Sequence, residues 1–156
     1  MAGAWRYNDV RPVTGTLPTA TLVNKCDLVA RNSSGELVPA ASWTWDTNEA
    51  TTRAAFVAAF YGCSGQDKAT AVARVYGNST DNVLVCYSAG VYEYDCESAT
   101  YTTGQLLGPA KDTGNNLLSS TLKGVTLATE ATHVVEKPGT TVTRIMCRMR
   151  SVGLTL

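Results

Sequence analysis

The chain has 156 residues and a formal net charge of zero, because thirteen Lys and Arg balance thirteen Asp and Glu. This length suits one compact domain that buries roughly two-thirds of the surface of its unfolded form. A neutral protein has no long-range field that gathers polyanions, which argues against nucleic acid and anionic membranes as partners. Only 17% of the residues are charged, against roughly 25% in an average soluble domain. Such a surface is typical of a protein that neighbouring molecules cover.

Residues 1–20 mix prolines and glycines with polar residues, and this composition predicts an extended N-terminal arm rather than a packed element. Such an arm has to lie on another surface, and it is expected to add little to the stability of the domain at residues 21–156. Its candidates for contact with a partner are Trp5, Arg6 and Tyr7. The sequence shows no apolar signal segment and no run of about 18 apolar residues, so we expect a soluble protein that is not exported.

The next segments predict a strand pair followed by one helix. Residues 19–30 are strand-like, and "NSSG" at residues 32–35 has turn chemistry before a second strand at residues 36–38. Thr47 or Asn48 is the expected cap of a short helix in "TNEATTRAAF". The side chains predicted to face inward from this helix are Ala50, Ala54 and Ala55.

Short apolar or alternating runs follow the helix and are separated by small turn residues. The predicted strands are "TAVARVYG", "NVLVCYSAG", "GVYEYDC", "GVTLAT", "HVVEK" and "TVTRIMCRMRS", with a hairpin over Gly104–Gly114 and a turn at Lys137–Gly139. Many short strands with one helix favour a mainly β protein. The expected fold is a single small β-barrel or β-sandwich over residues 21–156, with one short helix and an extended N-terminal arm.

Two carboxylates in "VYEYDC" are a candidate pair for acid chemistry. Alternation places Tyr92, Tyr94 and Cys96 on a core face, and Glu93 and Asp95 on the open face. Residues two apart on a strand are separated by roughly 7 Å, which overlaps the spacing of the acids in inverting glycosidases. Catalytic acids flank a substrate from opposite sides, however, whereas these two point the same way from one strand. We therefore expect a solvated or salt-bridged strand face and keep a hydrolase as the less favoured alternative.

The remaining reactive side chains do not form a recognisable site. His133 is the single histidine and is expected to be a partly exposed strand residue. The five cysteines have no C-x-x-C spacing, which favours buried free thiols over disulfides or a zinc site. We expect no catalytic residues, no metal, no cofactor and no enzymatic activity.

The last predicted strand has the most distinctive charge pattern in the chain. Arg144, Arg148 and Arg150 share one face, while Ile145, Cys147 and Met149 fill the other. A row of arginines suits bidentate pairs with an acidic partner protein. An ordinary solvated strand face is the alternative.

The order of segments from about residue 20 onward resembles the small decoration, or cement, proteins of tailed-phage capsids. In that family a hairpin with "GDLV" leads to a capped helix, an "F-x-G" strand and a "GVFEFDC"-like strand. The corresponding segments are "KCDLVARNSSGELVPA", "WTWDTNEATTRAAFVAAFYGCSGQDK", "GVYEYDC", "TYTTGQLLGPA" and "RIMCRMRS". The sequence departs from the family by Cys26 where a glycine often precedes the aspartate, and by Gln105 in place of an acidic residue.

The resemblance implies a β-barrel or tulip-like domain without catalysis that binds the outside of a mature capsid, commonly as a homotrimer. Its partner is then the major capsid protein, and its location is the exterior of the virion after assembly in the host cytoplasm. The matching residues are expected at core and turn positions: Asp27, Leu28, Phe56, Tyr92, Tyr94, Gly104 and Pro109. A glycan-binding or host-attachment module on a virion is the second hypothesis, since tyrosines and tryptophans stack on sugar rings.

Overall fold

The computed structural model describes residues 3–7, 12–43, 47–70 and 82–150. Within these residues the chain forms short strands, one α-helix (α1, Glu49–Ala58) and two 3-10 turns at Ala40–Ser42 and Ala128–Glu130. The strands are β1 Gly3–Tyr7, β2 Pro12–Thr16, β3 Leu22–Val23, β4 Leu28–Arg31, β5 Leu37–Pro39, β6 Phe60–Ser64, β7 Lys68–Ala69, β8 Val83–Tyr87, β9 Val91–Tyr101, β10 Leu106–Lys111, β11 Leu117–Gly124, β12 His133–Lys137 and β13 Gly139–Met149. The prediction of a mainly β protein with one helix is confirmed.

Five of the strands close into a barrel. Their order is β9-β11-β10-β12-β13, and β13 pairs again with β9 along most of its length. The contact between β11 and β9 is parallel and short, joining Thr121 to Asp95 and Leu122 to Cys96. Closure of the barrel leaves no free sheet edge along these contacts.

A second sheet, in the order β2-β8-β6-β4-β5, lies between two apolar cores. On β4, Leu28 and Ala30 belong to the larger core, which also holds Tyr92 and Tyr94 of the barrel. Val29 points to the opposite face and joins a smaller core with Leu17, Val23, Leu37, Leu84 and Cys86. The sheet is therefore buried on both faces at β4, where Leu28–Ala30 form a continuous apolar run, whereas β8 and the outer strand β2 keep an alternating pattern of exposure.

The N-terminal segment differs from the expected unpaired arm. β1 is antiparallel to Val91–Tyr94 of β9, and β2 is antiparallel to the whole of β8. Residues 3–7 and 12–16 thus follow Val83–Tyr94 in the opposite direction, one strand in each sheet. The expectation that residues 1–20 lack sheet partners is wrong for these two strands.

The helix begins where the sequence predicts but buries a different face. The Asn48 side chain accepts hydrogen bonds from the backbone N–H groups of Ala50 and Thr51, which confirms it as the N-cap. The buried side chains of α1 are Thr52, Arg53, Phe56 and Val57. The predicted inward alanines lie toward solvent instead, because Ala50 and Ala55 are exposed and Ala54 is half-buried.

One predicted turn is confirmed, whereas a predicted hairpin and a predicted strand are wrong. The turn at residues 32–35 forms, with the side-chain Oδ1 of Asn32 accepting from the N–H groups of Ser34 and Glu36. Residues 104–114 are not one hairpin, because β10 occupies most of them and the turn lies at Asp112–Asn115. "GVTLAT" ends in a 3-10 turn rather than forming a strand. The predicted strand "TAVARVYG" falls almost wholly within residues 71–81, which lie outside the described residues. Trp45 and Asp46 also lie outside the described residues.

Arg53 anchors the helix to the barrel. Its Nε donates to the Pro109 carbonyl oxygen at 2.7 Å, Nη1 donates to Glu130 at 2.9 Å, and Nη2 donates to Glu49. Lys123 adds a second cation 3.2 Å from the Glu49 carboxylate. Burial opposes the charge of Glu49, but the hydrogen bonds from Arg53 and Lys123 outweigh it and lower the pKa of this carboxyl.

Gly108 on β10 permits the close packing that the Arg53 contacts need. A Cβ at this position would lie 2.1 Å from the Glu130 carbonyl oxygen and 2.8 Å from Arg53 Cδ. The first atom belongs to the backbone and cannot move aside cheaply. Position 108 therefore requires glycine, because any side chain would collide with the backbone of Glu130.

We predict that Arg53→Ala lowers the free energy of unfolding by about 3–5 kcal/mol, because it leaves the buried Glu130 carboxylate without its partner. Urea unfolding measures the loss. The control is Arg31→Ala, which removes a guanidinium that stacks at 4.9 Å over the Tyr61 ring at the surface. Such a contact contributes about 0.5–1 kcal/mol, so equal losses in the two variants would contradict the anchoring role.

Deletion of residues 1–15 tests the pairing of β1 and β2. The deletion exposes backbone groups of β8 and β9 that the two strands now satisfy, so the melting temperature should fall by roughly 5 °C or more. Thermal unfolding followed by circular dichroism measures this change. An unchanged melting temperature would show that the two strands are a dispensable arm.

Candidate partner-binding surface

The acids predicted on the open face of β9 meet an arginine of the same barrel. Arg144 Nε lies 3.5 Å from a Glu93 oxygen and 3.4 Å from an Asp95 oxygen. Pairing of Arg144 with Asp95 in the β9–β13 register places these side chains side by side. Both carboxylates thus belong to a salt-bridged strand face, which is the interpretation that the sequence favours over a hydrolase site.

The other two arginines of the predicted row also have partners within the chain. Arg148 makes a bidentate contact with Glu136 of the neighbouring β12, with distances of 3.1 and 2.8 Å. Arg150 donates through Nη1 to the carbonyl oxygens of Ala128 and Ala131 at 2.7 and 3.1 Å. The arginine row is real, but its members stabilise the barrel wall and the 3-10 turn below it.

The inner faces of β9 and β13 confirm the alternation seen in the sequence. Tyr92, Tyr94 and Cys96 are buried on β9, and the residues buried on β13 are Ile145, Cys147 and Met149. The parity prediction therefore separates core from surface correctly on both strands. Val91 is an exception, since it is buried although it shares parity with the two acids.

The N-terminal candidates lie on the other side of β9 from the arginine row. In the β1–β9 register Trp5 is opposite Tyr92 and Tyr7 is opposite Val91, with an irregularity between them at Arg6. β13 pairs with the opposite edge of the same part of β9. The fold therefore brings both predicted groups to one strand.

Most described aromatic side chains are used in the core. Tyr92, Tyr94 and Tyr101 are buried, and their hydroxyls donate to the carbonyl oxygens of Ala89, Cys26 and Glu97. Trp43 packs edge-on against Phe56 with ring centroids 5.6 Å apart. The three buried tyrosine rings therefore have no open face of the kind that stacks on a sugar.

The outward face of α1 is a surface that sequence reasoning missed. Its side chains carry no charge: Thr51, Ala54, Ala55 and Ala58. Helices of soluble domains usually present charged residues to water. The signal in the sequence was the near absence of charge in "EATTRAAFVA", where the one basic residue, Arg53, is turned inward.

His133 is wholly buried, so the prediction of a partly exposed residue is wrong. Its Nδ1 lies 2.9 Å from Thr132 Oγ1. Burial lowers the pKa of the imidazole to about 3, so the ring is neutral at physiological pH.

The five cysteines are all free and buried, in agreement with the sequence prediction. Burial raises the pKa of Cys63 and of Cys86 to about 12, so these thiols stay protonated. Among the described residues, no three His, Cys, Asp or Glu side chains are arranged to hold a metal ion.

Two comparisons with known proteins found no match. No model of a protein family matches the chain, and no curated protein shows a significant match to it. In the part of the chain that the structure describes, no helix has the length and apolar character needed to cross a membrane.

We predict that Arg144→Ala lowers the free energy of unfolding by less than about 1 kcal/mol, because the ion pairs of this half-exposed guanidinium are screened by water. The loss should shrink further when salt is raised from 0.05 to 1 M. Lys137→Ala, on the exposed end of β12, serves as a control for removal of a surface cation. A loss above about 2 kcal/mol, or one that salt does not change, would mean that Arg144 is a structural anchor like Arg53.

Proposed function

We propose that this chain binds the outer surface of a tailed-phage capsid and cements adjacent major capsid subunits, acting as a homotrimer. The observation that supports this most is the agreement between the described fold and the positions that the resemblance implies. Leu28, Phe56, Tyr92 and Tyr94 are buried as core residues should be. Gly104 occupies a turn with φ +86°, which favours glycine.

The two positions that depart from the family pattern are compatible with the resemblance. Cys26 stands where the family often has glycine, and its φ of 72° is the left-handed conformation that glycine adopts most easily. Gln105 replaces an acidic residue, and its side-chain oxygen accepts a hydrogen bond from Thr102 N–H at 3.2 Å. Both substitutions thus keep the backbone geometry or the acceptor that the family residue would supply.

The surface suits attachment through many weak contacts. The chain is neutral overall, and α1 turns a face of small uncharged residues to the outside. Each contact of this kind is weak because it buries little apolar area. Trimeric attachment multiplies such contacts, since the second and third subunits bind as an intramolecular event.

The other two hypotheses have less support. A glycan-binding or host-attachment module needs open aromatic rings, whereas Tyr92, Tyr94 and Tyr101 lie in the core. A hydrolase that uses Glu93 and Asp95 needs an acid free to protonate a leaving group, whereas Arg144 lies beside both. A glycan array and a polysaccharide hydrolysis assay test these alternatives directly.

A matched pair of variants tests whether the arginine row grips the capsid. Glu136→Gln removes the carboxylate charge beside Arg148 and keeps the guanidinium, whereas Arg148→Gln removes the guanidinium, so each variant breaks the same surface ion pair. If Arg148 binds acidic groups on the capsid, Arg148→Gln should reduce occupancy severalfold and Glu136→Gln should retain or raise it. Cosedimentation with empty capsid shells assembled without this chain measures occupancy.

The same assay separates the proposed function from the residues assigned to it. Equal occupancy in the two variants and the unmodified chain would leave capsid binding in place but exclude Arg148 as a contact. If the unmodified chain does not cosediment with the shells, and no trimer binds to them, the decoration function itself is overturned.

A further inference from the structure

His133 lies where the barrel meets the second sheet. It is opposite Leu107 of β10 and Met149 of β13 in the barrel register. Its ring contacts Tyr94 of β9 edge-on at a centroid distance of 5.0 Å and Phe60 of β6 at 6.3 Å. Because β6 belongs to the second sheet, the imidazole bridges the two layers of the molecule.

One ring nitrogen of His133 is unsatisfied. Nδ1 interacts with Thr132 Oγ1, but Nε2 is fully buried and has no hydrogen-bond partner among the described residues. Buried polar nitrogens are paired in most proteins, so an unpaired one needs an explanation. The neutral ring tolerates this position, whereas an imidazolium would need an acceptor at both nitrogens.

The groups that face the ring supply no compensating charge. From β9 the titratable neighbour is Tyr94, whose hydroxyl is committed to the Cys26 carbonyl oxygen. The thiols that interact electrostatically with Tyr94 are Cys63 of β6, Cys26 before β4 and Cys147 of β13; burial raises the pKa of each, and β10 contributes Leu107.

The charged residues closest along the chain are engaged elsewhere. Glu130, in the 3-10 turn before β12, is paired with Arg53 of α1. Glu136, on β12 itself, is paired with Arg148 of β13. Arg150 donates to carbonyl oxygens of the 3-10 turn and its flank.

We propose that His133 forms a pH-sensitive contact between the barrel and the second sheet. The neutral imidazole holds the two together, and protonation of the imidazole releases the contact. A buried charge without a partner is strongly destabilising. Proton uptake is therefore coupled to an opening that admits water to the ring between β12 and β6. Since the folded pKa of about 3 lies below the ordinary value of 6.5, the closed state is fully favoured above pH 6.5 and loses stability as the pH falls toward 3.

The single histidine makes this proposal directly observable by NMR. The imidazole Cε1–H signal of the native protein should stay at its neutral position from pH 7 to pH 4.5, and a protonated signal should appear only from an opened population. Hydrogen exchange, corrected for its intrinsic pH dependence, should rise first in β6 and β12. A native signal that titrates smoothly with a midpoint near 6.5, or exchange that rises uniformly over the molecule, would overturn the proposal.

Variants at position 133 that cannot titrate show how much of the pH dependence of stability comes from protonation of His133. Relative to His133→Phe, the unmodified protein should show an unfolding constant that increases about tenfold more for each pH unit between 6 and 4. Leu107→Ala, which truncates the residue opposite His133, is the control and should shift stability equally at each pH. If His133→Phe does not fold, His133→Gln offers a polar side chain that does not titrate. Parallel pH profiles for the unmodified protein and the position 133 variant would overturn the proposal.

Discussion

The buried guanidinium of Arg53 is the interaction on which the arrangement of helix and barrel depends. It joins α1 to a carbonyl oxygen of β10 and to a carboxylate of the 3-10 turn, three segments far apart in the chain. Removal of a cation from water is costly, and here two carboxylates and a carbonyl oxygen offset that cost. The same contacts orient α1 so that Phe56 reaches the large core, where it packs against Phe60 of β6. Gly108 matters because its missing side chain lets these groups come together.

The internal use of charge explains the character of the outer surface. Arg53, Arg144, Arg148 and Lys123 all lie within ion-pair distance of carboxylates in the same chain. These pairs neutralise the barrel wall, and the outward side of α1 adds small uncharged residues. Such a surface gives little electrostatic steering or orientation to an approaching partner. The proposed attachment to a capsid therefore relies on shape, apolar burial and repeated contacts rather than on charge.

Local patterns were sufficient where the structure is decided locally. Alternation assigned the faces of β9 and β13, and the cap was narrowed to Thr47 or Asn48, of which the structure uses Asn48, because capping involves only the next few residues. The inner face of α1 was not predictable, because the partners of Arg53 lie 56 and 77 residues away in the sequence. β1 and β2 were missed for the same reason, since their partner strands begin about eighty residues later. The burial of His133 depends on packing between both sheets, which no local pattern reports.

The second sheet shows why cysteine suits this fold. Cys63 on β6 belongs to the large core, and Cys86 on β8 belongs to the small one. In the pairing of these strands Cys63 is opposite Tyr87 and Ser64 is opposite Cys86. A thiol is a small apolar group with little demand for a hydrogen bond, so it can fill a sheet that is covered on both faces. A larger apolar side chain at either position would have to displace neighbours in a dry, closely packed layer, and a polar one would lack water. Burial thus accounts for Cys63 and Cys86 in this sheet, whereas Cys96 and Cys147 fill inward positions of the barrel strands β9 and β13 in the same way.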